Sequence, residues 1–178
     1  VARSGGDRIS CKVRGRSLEV VAGDQVRVSL EASDDEWTVI ERLPRRNVLC
    51  RSDSRGRPES IAANLDQLGV VVAARPACDP FIVDRYLAGA SYAGIATLLV
   101  VNKQDLPADS GDLSFVEPLR AIGIPVVAVS AHAGTGLDAL IAALSGQRTM
   151  LAGQSGVGKS SLLNALAGEV VRATGALS

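Results

Sequence analysis

Nine consecutive residues constrain this chain more than any others: Gly153-Gln154-Ser155-Gly156-Val157-Gly158-Lys159-Ser160-Ser161. A glycine, four residues, then Gly-Lys-Ser is the pattern of a phosphate-binding loop. The apolar run Thr149-Met150-Leu151-Ala152 leads into it as a short strand. Ser161-Leu162-Leu163-Asn164-Ala165-Leu166-Ala167 leaves it with helix-forming residues and an apolar Leu162/Leu163/Leu166 stripe. Glycines 153, 156 and 158 free the backbone to curl, so that successive N–H groups converge on phosphate oxygens where the helix N-terminus adds partial positive charge. Lys159 can neutralise the β and γ oxygens. Ser160 can offer its hydroxyl to a magnesium ion bridging the same phosphates. The plainer alternative is a Gly/Ser turn that matches by chance; the strand before the loop and the helix after it argue against that.

The loop does not say which nucleotide it holds, so the strand ends elsewhere matter. Ala96-Thr97-Leu98-Leu99-Val100-Val101 is a continuous apolar run of the kind found in parallel strands covered on both faces, and it ends in Asn102-Lys103-Gln104-Asp105. Ile124-Pro125-Val126-Val127-Ala128-Val129 reads as another strand and ends in Ser130-Ala131-His132. Leu68 to Ala74 reads as a third, buried strand. Helices are expected between them. Asp79-Pro80 supplies an N-cap and first-turn proline ahead of Val83, Tyr86, Leu87 and Ala90. Phe115 to Ile122 follows, with Pro118 near its start, and Leu137, Leu140, Ile141 and Leu144 recur at helical spacing before Gly146. Alternating strands and helices imply a mostly parallel sheet with helices on both faces.

Ligands of open α/β sheets sit at the carboxyl ends of the strands, so the glycine loop, Asn102 to Asp105 and Ser130-Ala131 would line one crevice. An Asp carboxylate suits the ring N–H and exocyclic amine of guanine, and adenine presents no such pair. Asp105 is therefore the candidate base reader. The Lys103 stem can lie along the base, Asn102 can tie this loop to the glycine loop, and the Ala131 N–H can point at the guanine carbonyl oxygen. Sites of this kind discriminate by roughly 10⁴-fold because the wrong base leaves buried polar groups unpaired. An ATP-using enzyme is disfavoured by Asp105.

The N-terminal part has a different texture. The runs 9–13, 17–21, 25–30 and 37–43 alternate apolar with polar residues between short turns, which predicts a small antiparallel β-barrel of the OB type over residues 1–58. Residues 59–178 then form the α/β unit. Arg42, Arg45, Arg46, Arg51, Arg55 and Arg57 face one acid, Asp53, between 42 and 57. That stretch is either a solvated loop or a contact to RNA phosphates, with Trp37 too isolated to support base stacking. With 19 basic and 19 acidic residues the chain is not a wholesale polyanion binder, so any nucleic-acid contact must be local. The apolar run 69–74 is too short to span a bilayer and no leader pattern opens the chain, so the cytoplasm is the expected compartment and no membrane partner is expected. Cys11, Cys50 and Cys78 form no CxxC pair and predict neither a disulfide framework nor a zinc site within this stretch.

The motif order is unusual. Guanine-nucleotide switch proteins ordinarily place the phosphate loop first, whereas here Asn102 and Ser130 precede Gly153, as in a circularly permuted domain. A small β-rich start with an Arg-rich stretch, then Ile61-Ala62-Ala63-Asn64-Leu65-Asp66-Gln67, Asp84-Arg85-Tyr86-Leu87, Asn102 to Leu106, Ser130-Ala131 and Gly153 to Ser161 in this order resembles the bacterial small-ribosomal-subunit biogenesis GTPases. The resemblance implies an OB domain, a permuted Mg²⁺-dependent GTPase domain binding GTP or GDP, and a zinc-binding domain beyond Ser178. It also implies the 30S subunit and its rRNA as partners, with hydrolysis stimulated by that particle. A monomer is expected, and the chain is expected to be the front part of a longer protein. Asp66-Gln67-Leu68-Gly69 matches the DxxG switch motif but precedes its strand, so it reads as a decoy. No catalytic residue follows from the motifs, and the lone His132 reads as a loop residue. The alternative function is an RNA-binding module whose nucleotide domain is regulatory and turns over negligibly.

Overall fold

The computed structural model describes residues 9–13, 18–31, 36–53, 55–107 and 111–175. The chain divides into two compact units between Asn64 and Leu65. The division falls after Asn64 rather than at 58 because Pro58 opens a strand of the first unit. Proline is tolerated at a first strand position, and the small residues that follow it give little alternation to read.

The first unit contains β1 (Cys11–Val13), β2 (Val26–Glu31), β3 (Glu36–Arg42), β4 (Val48–Ser52) and β5 (Pro58–Ala63). They make two sheets, β1-β3-β2 and the β4-β5 hairpin. The expected all-antiparallel barrel needs correction on two counts. β1 runs parallel to β3, with Cys11 opposite Trp37 and Val13 opposite Val39. The strand expected over 17–21 is absent from its described residues, 18–21; Ala22 alone bridges to Ala62 there. Among the described residues no ladder joins the two sheets into a closed barrel.

The second unit contains β6 (Gln67–Ala73), α1 (Pro80–Tyr92), β7 (Ala96–Asn102), α2 (Val116–Ala121), β8 (Val126–Ala128), α3 (Leu137–Leu144), β9 (Thr149–Ala152) and α4 (Lys159–Gly175). The four strands form one parallel sheet in the order β8-β7-β6-β9. α1 starts as its sequence requires, with Asp79 Oδ1 accepting the Phe81 N–H at 3.0 Å and Pro80 in the first turn. α2 carries Pro118 in its own first turn, where a missing N–H breaks no helical bond.

The sheet alternates by strand position. Val71 and Ala73 of β6 and Leu98 and Val100 of β7 share a core with Leu137 and Leu140 of α3 and Leu162 of α4. Val70, Val72 and Leu99 point the other way, and α1, which buries Val83 and Ala90, packs on the same two strands outside that cluster. Each fully buried Leu or Val contributes about 1.5–3 kcal/mol before the entropy of ordering is subtracted. Of the apolar stripe on α4, Leu162 is buried and Leu166 packs on the core, but Leu163 is 55% exposed.

Registers fix where the loops meet. Gln67 lies opposite Ala96 and Thr149 at the amino edge, and Ala73 lies opposite Asn102 at the carboxyl edge. Asp66 to Gly69 therefore begins at the amino edge, where Asp66 Oδ2 accepts the Arg148 N–H at 2.8 Å, away from the glycine loop. That placement agrees with its reading as a decoy.

Candidate functional site

The glycine loop follows β9 in a conformation only glycine adopts easily. Gly153, Gly156 and Gly158 have φ of 145°, 81° and 95°. Packing adds a second constraint at two of them: a Cβ on Gly153 would lie 2.2 Å from the Val71 carbonyl oxygen, and one on Gly158 would lie 2.4 Å from Asn102 Nδ2. Val157 is fully buried in the core of the second unit and anchors the loop from beneath. The α4 ladder begins at once, with the Leu162 N–H donating to the Gly158 carbonyl at 2.9 Å. Lys159 Nζ folds back over the loop and donates to the carbonyls of Gly153 (2.9 Å) and Gln154 (2.8 Å). Gln154 Oε1 is buried with no hydrogen-bond partner among the described residues. Ser155, Ser160 and Ser161 are exposed.

Asn102, at the end of β7, is 1% exposed and joins three segments. Its Nδ2 donates to the Val157 carbonyl at 2.9 Å, inside the glycine loop, and its Oδ1 accepts the Ala131 N–H at 3.1 Å. The tie between Asn102 and the glycine loop is thus present. The Ala131 N–H, expected at a guanine carbonyl oxygen, is instead given to Asn102, because a buried side-chain amide needs partners at both ends.

Lys103 has φ +63° and sends Nζ to the Arg75 carbonyl at 2.8 Å. The chain then turns back, the Leu106 N–H donating to the Lys103 carbonyl and the Gln104 N–H to the Val129 carbonyl. This delivers the exposed Asp105 to Ser130, whose hydroxyl donates to Oδ1 at 2.5 Å. Ser130 is fully buried, and its Oγ also accepts the Ala133 N–H at 2.9 Å, so the hydroxyl that orients Asp105 is itself fixed. The Ser130 hydrogen bond, then a backbone N–H, hold the Asp105 carboxyl below the ordinary carboxylate range, with charge from His132 and Lys103 acting in the same direction. An exposed, oriented and ionised carboxylate is an acceptor for two adjacent donors of a planar ligand.

Three loops, from β7, its neighbour β8, and β9 on the far side of β6, therefore meet at one sheet edge, with a glycine cradle on one side and a fixed carboxylate on the other. The cradle fits the phosphates of a nucleotide, since side chains are excluded at Gly153 and Gly158. Ser160 is the residue there that would hold magnesium, whose charge would offset that of the phosphates. No cluster of His, Cys, Asp and Glu among the described residues can hold zinc, and all three cysteines are free.

Comparison with known proteins places this architecture. The model of the RsgA GTPase family matches residues 42–178. The chain belongs to the RsgA GTPase family. Among relatives of this family, the small ribosomal subunit biogenesis GTPase RsgA of Ectopseudomonas mendocina is 39% identical over 176 residues, covering 97% of this chain and 51% of that protein. The RsgA of Chromohalobacter salexigens is 43% identical over 173 residues, covering 96% and 51%. The chain spans about half the length of the curated relatives it matches. Among solved structures, YjeQ from Thermotoga maritima superposes with a TM-score of 0.65 at 32% identity, over 90% of this chain and 57% of that one. YloQ, described as a circularly permuted GTPase, superposes with 0.62 at 31% identity, over 90% and 56%. The permuted motif order thus belongs to an RsgA-type fold.

The arginine stretch of the first unit looks different once folded. Five of its six guanidiniums are directed at partners within that unit. Arg42 Nη1 donates to the Glu19 carbonyl, Arg46 Nη2 to the Asn64 carbonyl, Arg51 pairs with Glu59, and Arg57 with Asp53. Arg45 makes a two-pronged bond to Asp24, Nε to Oδ1 at 2.7 Å and Nη2 to Oδ2 at 2.8 Å, with side chains only 12% and 0% exposed. Arg45 is structural. Arg51 and Arg57, with side chains 64% and 67% exposed, can still exchange their weak surface pairs for phosphate. A shallow groove of about 370 Å³ in this unit is lined by Glu19, Asp53, Arg57, Pro58 and Glu59. Its three acids oppose a phosphate backbone, and it lies apart from the nucleotide loops in sequence and unit.

Proposed function

We propose that this chain binds GTP and GDP at the carboxyl edge of its parallel sheet, hydrolyses GTP to GDP and phosphate with magnesium, and serves maturation of the small ribosomal subunit. The observation that carries the reading is the Asn102 tie. One buried side chain holds the phosphate loop and the Ser130-Ala131 loop in fixed relation. Asp105, oriented by Ser130, accepts the ring N–H and exocyclic amine of guanine. The Lys103 stem, which approaches Gly158, borders the base. Gly153, Gln154, Ser155, Gly156, Val157, Gly158 and Ser161 frame the phosphates. Lys159 exchanges its two carbonyl acceptors for phosphate oxygens, a stronger charge-assisted bond. Ser160 holds magnesium. Guanine selection rests on Asp105, since the Ala131 N–H is occupied by Asn102. His132 is assigned no part in the chemistry.

The ribosomal role follows from the relatives, whose names place them in small-subunit biogenesis. We infer the 30S particle and its rRNA as partners, stimulation of hydrolysis by that particle, and a cytoplasmic location; among the described residues no helix is long and apolar enough to cross a membrane. The test is GTP hydrolysis by the full-length protein with and without purified small subunits, beside guanine-nucleotide titration of wild type and Lys159→Ala. Magnesium-dependent turnover that rises with subunits, and loss of most triphosphate affinity in the variant, are expected. Tight GTP binding without turnover under either condition would favour the RNA-binding module with a regulatory nucleotide domain.

A further inference from the structure

The outer face of α1 carries side chains that packing does not explain. Phe81, Arg85, Ala88 and Tyr92 recur at four, three and four residues, which places them in one narrow stripe along the helix. Phe81 is 77% and Tyr92 97% exposed, while Val83 and Ala90 on the inner side are buried. The chain has only five aromatic residues, so two of them stand in solvent on a single helix face. Arg85, between them, is exposed and has no hydrogen-bond or ion-pair partner among the described residues, in contrast to the engaged arginines of the first unit. Positions 81 and 92 are separated by about 16 Å of helical rise.

We propose that this stripe of Phe81, Arg85 and Tyr92 is an RNA contact that stacks unpaired bases on its two rings and sets Arg85 against the intervening phosphate. The proposal rests on the ribosomal reading above, which makes RNA the available polyanion. The chemistry favours RNA over a protein partner. Tyr and Arg also serve as protein hot spots, but there they sit in well-packed pockets ringed by contacts that exclude water, and the exposed residues beside this stripe include Asp84, Ala88 and Ser91, which are charged or too small to build such a ring. Two planar aromatic faces and a planar guanidinium, by contrast, are the groups on which single-stranded bases stack. Asp84 lies on the opposite flank of the stripe from Arg85, so the strand runs along the Arg85 side.

The experiment measures binding of the chain to purified small subunits, and to protein-free small-subunit RNA, over a series of salt concentrations. Phe81→Leu/Tyr92→Leu keeps apolar area and removes the planes; Phe81→Ala/Tyr92→Ala removes both. Each stacked base accounts for about fivefold to more than a hundredfold in affinity, so both double variants are expected to bind at least about tenfold more weakly, to subunits and to RNA alike. Guanine-nucleotide affinity and melting temperature should stay at wild-type values. Arg85→Ala should flatten the logarithmic salt slope by about 0.7–0.9. Wild-type affinity in both double variants overturns the proposal. So does loss with alanine but not leucine, which marks an apolar contact to a protein. Failure of the wild type to bind subunits or RNA overturns the ribosomal reading itself and the stripe with it.

Discussion

Asn102→Ala removes the one side chain that touches all three loops of the site. The change leaves the Val157 carbonyl and the Ala131 N–H, now bonded at 2.9 and 3.1 Å, facing a small void at a position 1% exposed. A buried polar group left unpaired costs about 1–3 kcal/mol, so with two such groups stability should fall by about 2–6 kcal/mol. Nucleotide binding must then also reorder the loops, which should weaken GDP and GTP by at least about tenfold. Asn102→Asp separates shape from chemistry. It keeps an acceptor for Ala131 but sets a carboxylate oxygen against the Val157 carbonyl, and should be no better than alanine. Gly158→Ala attacks the same contact from the other side, since its Cβ would lie 2.4 Å from Asn102 Nδ2, and φ +95° adds strain of about 1–3 kcal/mol. In an Asn102→Ala background the clash disappears and only the strain remains, so the two changes should be clearly sub-additive. Fluorescent guanine-nucleotide titration and thermal unfolding of all four proteins measure both terms. Asn102→Ala with nucleotide affinity within twofold of wild type and an unchanged melting temperature would refute the reasoning.

Asp105→Asn turns the acceptor into a mixed donor and acceptor, so guanine nucleotides should weaken and xanthosine nucleotides gain; a nucleotide titration showing unchanged guanine preference counts against the base assignment. Ser130→Ala removes the hydroxyl that holds the Asp105 carboxyl below its ordinary range. The wild-type carboxylate remains ionised until pH falls below that range, about 3.9, whereas in the variant the loss of guanine affinity should begin at higher pH; coincident acid limbs in GDP titrations would remove the role of Ser130. Arg45→Ala leaves the Asp24 carboxylate buried without its partner and should cost about 3–5 kcal/mol in urea unfolding at pH 7. Arg45 depresses the Asp24 pKa, so this stabilisation is present above the ordinary carboxylate range and fades as pH falls through the lowered value. The variant and wild type should therefore converge in strongly acidic solution, and an equal gap at every pH would contradict the ion pair.

What was legible in the sequence was whatever repeats locally. The run Ala96 to Val101 announces a strand covered on both faces, Asp79-Pro80 a helix start, and Gly153 to Ser161 a cradle, because each pattern is complete within a few residues. The first unit resisted because its decisive contacts are distant. Asp24 and Arg45 are 21 residues apart, so the arginine stretch looked one-signed only along the chain. The parallel pairing of β1 with β3 leaves no mark on either strand, since alternation is the same for both directions. The hairpin of β4 and β5 was hidden by Ser52, Pro58, Ser60 and two alanines, residues with little β signature of their own. Within the site the same distinction holds. Asn102 to Asp105 was readable as a polar loop at the carboxyl end of a buried strand, but the contact between Asn102 and Val157 spans 55 residues, and the bond from the Ala131 N–H to Asn102 follows only from where Asn102 comes to rest.

Circular permutation is compatible with an intact site for a related reason. The loops meet because parallel strands end together, and that depends on register rather than on chain order. β6 pairs β7 so that Ala73 faces Asn102, and pairs β9 so that Val70 faces Ala152, immediately before the glycine loop. β8 places Ala128 opposite Val101, two residues short of Ser130. Any connection that preserves these registers returns Asn102, Ser130 and Gly153 to one edge. The Asn102 side chain then converts that proximity into a fixed relation between the glycine loop and the loop that carries the proposed base reader, Asp105. A neighbouring edge with the same strands and no such tie would hold the same motifs without holding their spacing, and a nucleotide needs both ends gripped at once.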